Sequence, residues 1–318
     1  MRSAQIGKAV PGAVRKKSLW SRIKRDKYLF LLFLPGFLVF ILFKYGPMPG
    51  IIMAFEDYTF KGGIFGSEFV GLKHFQQLLS LPDFGNAFRN TITISLLKIV
   101  FGFPAPIILA LIFNEIRNDK FKRITQTITY LPHFFSWVVM SGLLISILSP
   151  NSGIINAVIK ALGGQPIYFL ANKNYFVPTL VISDIWKEVG WGSIIYLAAL
   201  SGIPQEMYEA CALDGASRLQ RMWYVTLPSI ASTISVMLIL KMGSILEAGF
   251  DQIFNLYNAS VMEVADIIDT YVYRMGIESF EYSLSTAASL FKSVIALAAV
   301  LLTNYLSKKF SDGENGII

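Results

Sequence analysis

Side chains able to do chemistry are few in this chain, and most of them sit inside apolar sequence. His74 and His133 stand far apart in the sequence, as does the single cysteine, Cys211, so the residues spell out no metal-ligand set and no nucleophile–base pair. Both histidines read as local hydrogen-bonding residues. No Gly-x-x-x-x-Gly-Lys-Ser/Thr loop is present to cradle nucleotide phosphates. One cluster stands out: Asp184, Lys187 and Glu188, in an apolar run that also holds Trp186 and Trp191. Spacings of three and four residues place Asp184 beside Lys187 and Glu188 on one side of a helix. Near the middle of a membrane-crossing helix such charges cost about 2.5–3.5 kcal/mol each, so they must face protein or water. Two readings stand: an ion-pair network that fixes packing, or a polar lining of a path through the membrane. Lys98, Lys241 and Lys292 also fall in apolar runs. A lysine near an interface can snorkel, but Lys241 looks central and needs an internal partner.

The elements that must carry these residues follow from composition. Of 318 residues, 54% are hydrophobic and 15% charged, against about 25% charged in a soluble domain. The mean hydropathy is +0.53. A soluble globule cannot hide that much apolar surface, and disorder needs the opposite balance. The net charge of +7 is concentrated: nine basic residues lie within the first 27 positions, just before a long apolar run. That is a cytoplasmic membrane flank and not a nucleic-acid surface. The first apolar stretch is too long for a cleaved signal and lacks a small-residue cleavage site.

Crossing a bilayer core takes about 20 apolar residues. Six stretches qualify: Tyr28–Tyr45, Thr91–Phe113, Ile124–Leu148, Phe176–Leu200, Pro228–Gly249 and Leu284–Leu306. They are too long for barrel strands, so the fold class is all-α integral membrane with six transmembrane helices. With the N-terminus inside, the inner segments hold 17 basic residues, Arg218, Lys308 and Lys309 among them, and the outer connections five. Both termini are therefore expected in the cytoplasm. The organisation reads as a basic cytoplasmic tail (1–27), a first transmembrane helix (28–48), an extracytoplasmic connection (49–86), a five-helix core (87–307) and a cytoplasmic tail (308–318). The 49–86 connection reads as a folded cap, 150–175 as holding a short interfacial helix, and 250–283 as a mixed outer connection with an acidic amphipathic stretch.

Between the fourth and fifth stretches lies a cytoplasmic loop, residues 202–228. Pro204 suits the first turn of a helix. Glu206 and Glu209 place negative charge near its positive end. Gly215 can take the left-handed stop conformation. Ser217 with Gln220 forms a capping box for a second helix, and Pro228 marks entry to the fifth span. The product is a helix–turn–helix standing out from the membrane.

This loop resembles the one that marks permease subunits of ABC-type importers: Glu-Ala-Ala, three residues, Gly, nine residues, Ile, one residue, Leu-Pro. Here the positions are Glu209, Ala210, Cys211, Gly215, Val225, Leu227 and Pro228, five of the seven identical. Cys211 departs from the pattern but is small and apolar. The stretches Tyr130–Phe134, Trp186–Trp191, Asp214–Ser217 and Val264–Thr270 extend the resemblance to sugar-importer permeases related to the maltose system, in the lipo-oligosaccharide-permease-like subgroup. Membership implies the MetI-like architecture of type I importers, in a bacterial plasma membrane. It implies a second homologous permease, two cytoplasmic ABC ATPase subunits that bind ATP and Mg, an extracytoplasmic solute-binding protein, and a sugar substrate. The chain itself would be no enzyme and would hold no cofactor or metal. Glu209, Ala210, Asp214, Gly215, Leu227 and Pro228 would couple to an ATPase. Asp184, Trp186, Lys187, Glu188 and Trp191 would line the translocation path, with Trp186 or Trp191 stacking on a sugar ring. An acidic glycan is permitted by the intramembrane lysines and not demanded by them. An ion-gradient carrier is the competing reading, but it calls for internal duplication, and none is visible. An intramembrane enzyme would need the constellation already found missing.

Overall fold

A computed structural model describes residues 26–310, with side chains described through residue 305. The basic residues before Asp26 and the 311–318 end therefore lie outside the described residues, as do the side chains of Lys308 and Lys309. The chain divides into two compact units, Met1–Ile52 and Met53–Ile318. The first holds an apolar helix, Lys27–Phe40, which continues as a π-turn over Ile41–Tyr45.

The second unit is mostly helical. Two of its helices are long and apolar enough to cross a membrane: Pro82–Glu115, 34 residues, and Tyr282–Tyr305, 24 residues. A further apolar stretch, Lys27–Phe55, reaches 29 residues and completes a set of three among the described residues. Two other stretches that read as single spans are bent. Asp119–Phe134 and Trp137–Leu148 meet at 109°, and Arg218–Ser229 and Ala231–Met242 meet at 62°. The first bend follows from Pro132, which cannot donate to the helical ladder and sits in a 3-10 turn over Leu131–Phe134. Ser136 then starts the next helix, its side chain accepting from the Val139 amide at 3.4 Å. The stretch expected to span from Pro228 to Gly249 starts its helical turns earlier, at Arg218. It turns at Ile230 and runs as helix only from Ala231 to Met242. Pro228 lies in the short turn Leu227–Ser229, just before that bend.

The fourth stretch forms one helix, Lys173–Ser201, of 29 residues, about 44 Å at 1.5 Å per residue. It is the axis of the unit. Its Phe176 and Leu180 pack into a core with Ile94, Ile253, Val261 and Ile267. The segment 250–283, read as a mixed outer connection, contributes to this core, since Ile253, Val261, Ile267 and Ile268 are fully buried. Hydrogen bonds lock the segment in place. Asn90 donates to the carbonyls of Glu263 and Asp266 at 2.8 and 3.0 Å, and the Ile268 amide donates to Thr91 Oγ1 at 2.9 Å. Asp266 accepts both Arg274 nitrogens, and Asp269 holds Lys292 Nζ at 2.6 Å. Lys292 therefore does not snorkel; it is paired.

The 49–86 connection is ordered around a two-stranded antiparallel sheet that pairs Glu56 with Phe69 and Asp57 with Glu68. Ser283 accepts from the Tyr58 amide and donates to the Glu56 carbonyl, which fastens this cap to the last helix. Asp57 takes a hydrogen bond from Lys73 at 2.6 Å, and that bond holds its carboxyl below the usual carboxylate range. In the 150–175 connection the short helix Ile154–Ala161 is pinned by Asn156, which donates to Leu148, Ser149 and Ile167 carbonyls.

One close approach sets the position of the axial helix. A Cβ added at Gly190 would lie 2.1 Å from the Thr129 carbonyl oxygen, so only glycine lets these two backbones meet. Gly190→Ala is therefore expected to destabilise the folded protein by about 1–3 kcal/mol, the usual cost of overpacking. Gly85→Ala, where the added carbon meets nothing within 4 Å, is the control. Thermal melts of both purified variants check the difference.

Candidate functional site

The charges of the axial helix separate into two polar nodes. In the first, Asp184 accepts from Lys98 Nζ at 3.0 Å, and Lys98 also donates to Gln252 Oε1 at 2.5 Å. Gln252, fully buried, donates through Nε2 to the Leu180 carbonyl at 2.8 Å and to Ser183 Oγ at 2.9 Å. This node ties together the helices Pro82–Gly102, Lys173–Ser201 and Phe250–Leu256. Gly249 makes it possible. Its φ of +96° opens the Phe250–Leu256 helix, and a Cβ there would stand 2.7 Å from Lys98 Nζ.

In the second node, Lys187 donates to the His133 carbonyl at 2.8 Å and to Glu188 Oε1 at 3.1 Å, with its ammonium 5.7 Å from the Trp137 ring. His133 Nδ1 meets Glu188 Oε2 at 2.8 Å. The His133 ring stacks on Trp191, centroids 4.5 Å apart and planes 2° apart. The expected pairing of Asp184 with Lys187 does not form. Helical spacing allows it, but Lys98 and His133 from neighbouring elements compete for the two sites and win. Lys98, Gln252 and His133 are the residues that sequence reasoning left without these roles. Lys98 and His133 carried a signal, as polar groups in apolar surroundings; Gln252 lay in what read as an outer connection.

Beside the first node opens a cavity of about 520 Å³, lined by Lys98, Asp184, Glu188, Trp191, Tyr196 and Lys241 among others. Three of the five expected path residues thus share one cavity. Lys187 turns away into the second node, and Trp186 is exposed outside the lining. Lys241, expected to have an internal partner, makes no ion pair among the described residues and is exposed. No group of three His, Cys, Asp or Glu among the described residues could hold a metal ion.

The loop after the axial helix is a separate feature. Pro204 caps the helix Gln205–Leu213, one position earlier than its expected first turn. Gly215 takes φ +78°, and the Ala216 amide closes back on the Cys211 carbonyl at 3.0 Å. Ser217 and Gln220 exchange both capping-box bonds, at 2.8 and 3.3 Å. Tyr208 and Thr226 meet at 3.2 Å across the hairpin. Its surface is apolar around a charge: Leu213, Leu219, Trp223 and Tyr224 are exposed, and Glu209 is exposed without an ion pair among the described residues.

Residues 102–312 match the family described as binding-protein-dependent transport system inner membrane component. Protein LplB of Bacillus subtilis (strain 168) is 47% identical over 293 residues, covering 92% of each chain. The polygalacturonan/rhamnogalacturonan transport system permease protein YteP of the same organism is 47% identical over 303 residues, covering 95% of this chain and 94% of that protein. Among solved structures, a chain of a bacterial alginate ABC transporter, in complex with an alginate pentasaccharide-bound periplasmic protein, superposes with a TM-score of 0.85. It is 41% identical, and the match covers 94% of this chain and 99% of that one.

The first node yields a stability prediction. Lys98→Met strands the Asp184 carboxylate and is expected to cost about 3–5 kcal/mol, as is usual when one partner of a buried pair is removed. Adding Asp184→Asn to that variant should recover more than half of the loss. Melts of the two single variants and the double variant measure the coupling; strictly additive losses would mean that the pair does not form.

Proposed function

The chain belongs to the family of binding-protein-dependent transport system inner membrane components, and we propose that it works as the permease subunit of an ATP-driven importer of carbohydrate, acidic oligosaccharides above all. The observation that carries this reading is the cavity of about 520 Å³ beside Asp184, Glu188 and Trp191, in a chain so similar to permeases of acidic glycans. A polar, aromatic-sided cavity between membrane helices gives a sugar a path in which its hydroxyls meet charge and its ring meets an indole face. The subunit does no covalent chemistry; it opens and closes the path.

In this reading the chain crosses a bacterial plasma membrane six times. The spans are the three long apolar stretches, the two bent pairs and the Lys173–Ser201 helix. Its charges do not bar that last helix from lipid depth, because each is met from within the fold. The excess of basic residues in the inner segments puts both termini in the cytoplasm. The partners are a second permease, two ATPases that bind ATP and Mg, and an extracytoplasmic solute-binding protein.

The 202–228 hairpin is the coupling element. Glu209 and its neighbours Ala210 and Asp214 meet an ATPase, Gly215 makes the turn, and Leu227 and Pro228 pass the motion into the bent fifth span. A short element closed by a capping box, a left-handed glycine and the Tyr208–Thr226 contact transmits force; a slack loop would absorb it.

Two experiments test this. Glu209→Lys should abolish uptake and weaken co-purification with the ATPase while membrane insertion stays normal. Gly215→Val should uncouple uptake in the same way, since a β-branched residue resists φ +78°. Wild-type uptake in Glu209→Lys would remove the residue from the mechanism. For topology, the Cys211→Ala background receives single cysteines. One at Ser260 should react with an impermeant thiol reagent in intact cells and one at Ser217 should not; the reverse pattern inverts the orientation.

A further inference from the structure

The charges of the cavity beside Asp184 are unevenly paired. Four of its lining residues are charged: Lys98, Asp184, Glu188 and Lys241. Lys98 and Asp184 neutralise each other at 3.0 Å. Glu188 is held by Lys187 at 3.1 Å and by His133 at 2.8 Å. Lys241, on the helix Ala231–Met242, has no such partner among the described residues. An unpaired ammonium among membrane helices is costly unless water or an anion meets it. Here it looks into an open cavity that also presents Trp191.

Such a cavity suits a ligand with a negative charge and a flat apolar face. A sugar ring bearing a carboxylate has both. The other basic groups cannot take that carboxylate, because Lys98 and Lys187 are buried and already bonded. We infer that Lys241 is the residue by which the permease favours uronate-bearing saccharides over neutral ones, its ammonium meeting the substrate carboxylate in the central cavity. The inference rests on the reading of that cavity as the translocation path. A lysine fits the task better than an arginine would. Its ammonium is a compact, strongly hydrated point charge without the bidentate grip of a guanidinium, so it can attract an anion and still release it.

The test uses the assembled transporter in proteoliposomes, supplied with its binding protein. The probes are a galacturonate trisaccharide and the methyl ester of the same trisaccharide, which is neutral. Lys241→Met should lower ATP-dependent uptake of the galacturonate probe about tenfold, the effect of losing one charge-assisted hydrogen bond. It should leave uptake of the ester within about twofold of wild type by the same argument, since the ester carries no charge to lose a partner. Lys241→Arg, which keeps the charge, should retain most galacturonate uptake. The amount of assembled complex and its sugar-free ATP hydrolysis should not change in either variant. Equal losses for both probes would mark Lys241 as a structural cation and overturn the inference, as would unchanged galacturonate uptake in Lys241→Met. A wild-type complex that takes up neither probe would instead bring down the reading of the chain as a permease for such glycans.

Discussion

A charge taken out of water must meet an opposite charge or a dipole, or the fold loses several kcal/mol. The second unit is arranged around that requirement. Lys98 is buried, and its ammonium is satisfied only because Asp184 and Gln252 converge on it from two other helices. Gln252 in turn spends its amide on Leu180 and Ser183, which fixes the Phe250–Leu256 helix against the axial one. Asp266 with Arg274, and Asp269 with Lys292, repeat the device where the last helix joins the bundle. Apolar packing fills the space between these points, but packing alone is not directional. The charged contacts choose which helix sits against which.

The breaks in the helices serve the same end. A carbonyl whose ladder partner is lost at a break is free to accept from a side chain on a neighbouring element. The 109° bend after Asp119–Phe134 releases the His133 carbonyl to Lys187 and turns the imidazole onto Trp191. The left-handed Gly249 lets chain pass close to Lys98 where any side chain would collide. Irregular backbone at membrane depth is tolerated where protein or a cavity surrounds it, and both breaks lie beside the polar nodes.

The cavity and the 202–228 hairpin are built by different physics. The cavity is held by long-range pairs among three helices and the bend at His133. The hairpin is almost wholly local: its capping box, glycine turn and Tyr208–Thr226 contact span fewer than thirty residues of chain. A local element of this kind keeps its shape when the helices around the cavity shift. The axial helix ends at Ser201, directly before the hairpin, so the two features share one rigid connection.

That contrast also divides what was legible in the sequence from what was not. Hydropathy alone marked a chain of membrane-crossing helices, because lipid solvation acts on composition residue by residue. The hairpin was legible too, since Pro204, Gly215, Ser217 and Gln220 act through bonds to near neighbours in the chain. The register of Glu209, Gly215 and Pro228 then carried the family. Tertiary structure alone decided the partners of the charges. Helical spacing offers Lys187 to Asp184, but the partner that forms, Lys98, lies 86 residues from Asp184 along the chain and 154 from Gln252, and no local pattern announces either contact. The same holds for the 250–283 segment, polar enough to read as a surface connection. Its apolar residues reach the core because Asn90 donates to its Glu263 and Asp266 carbonyls and Thr91 accepts from its Ile268 amide. Local rules see propensity and polarity; which distant group satisfies a buried charge is settled only when the helices meet.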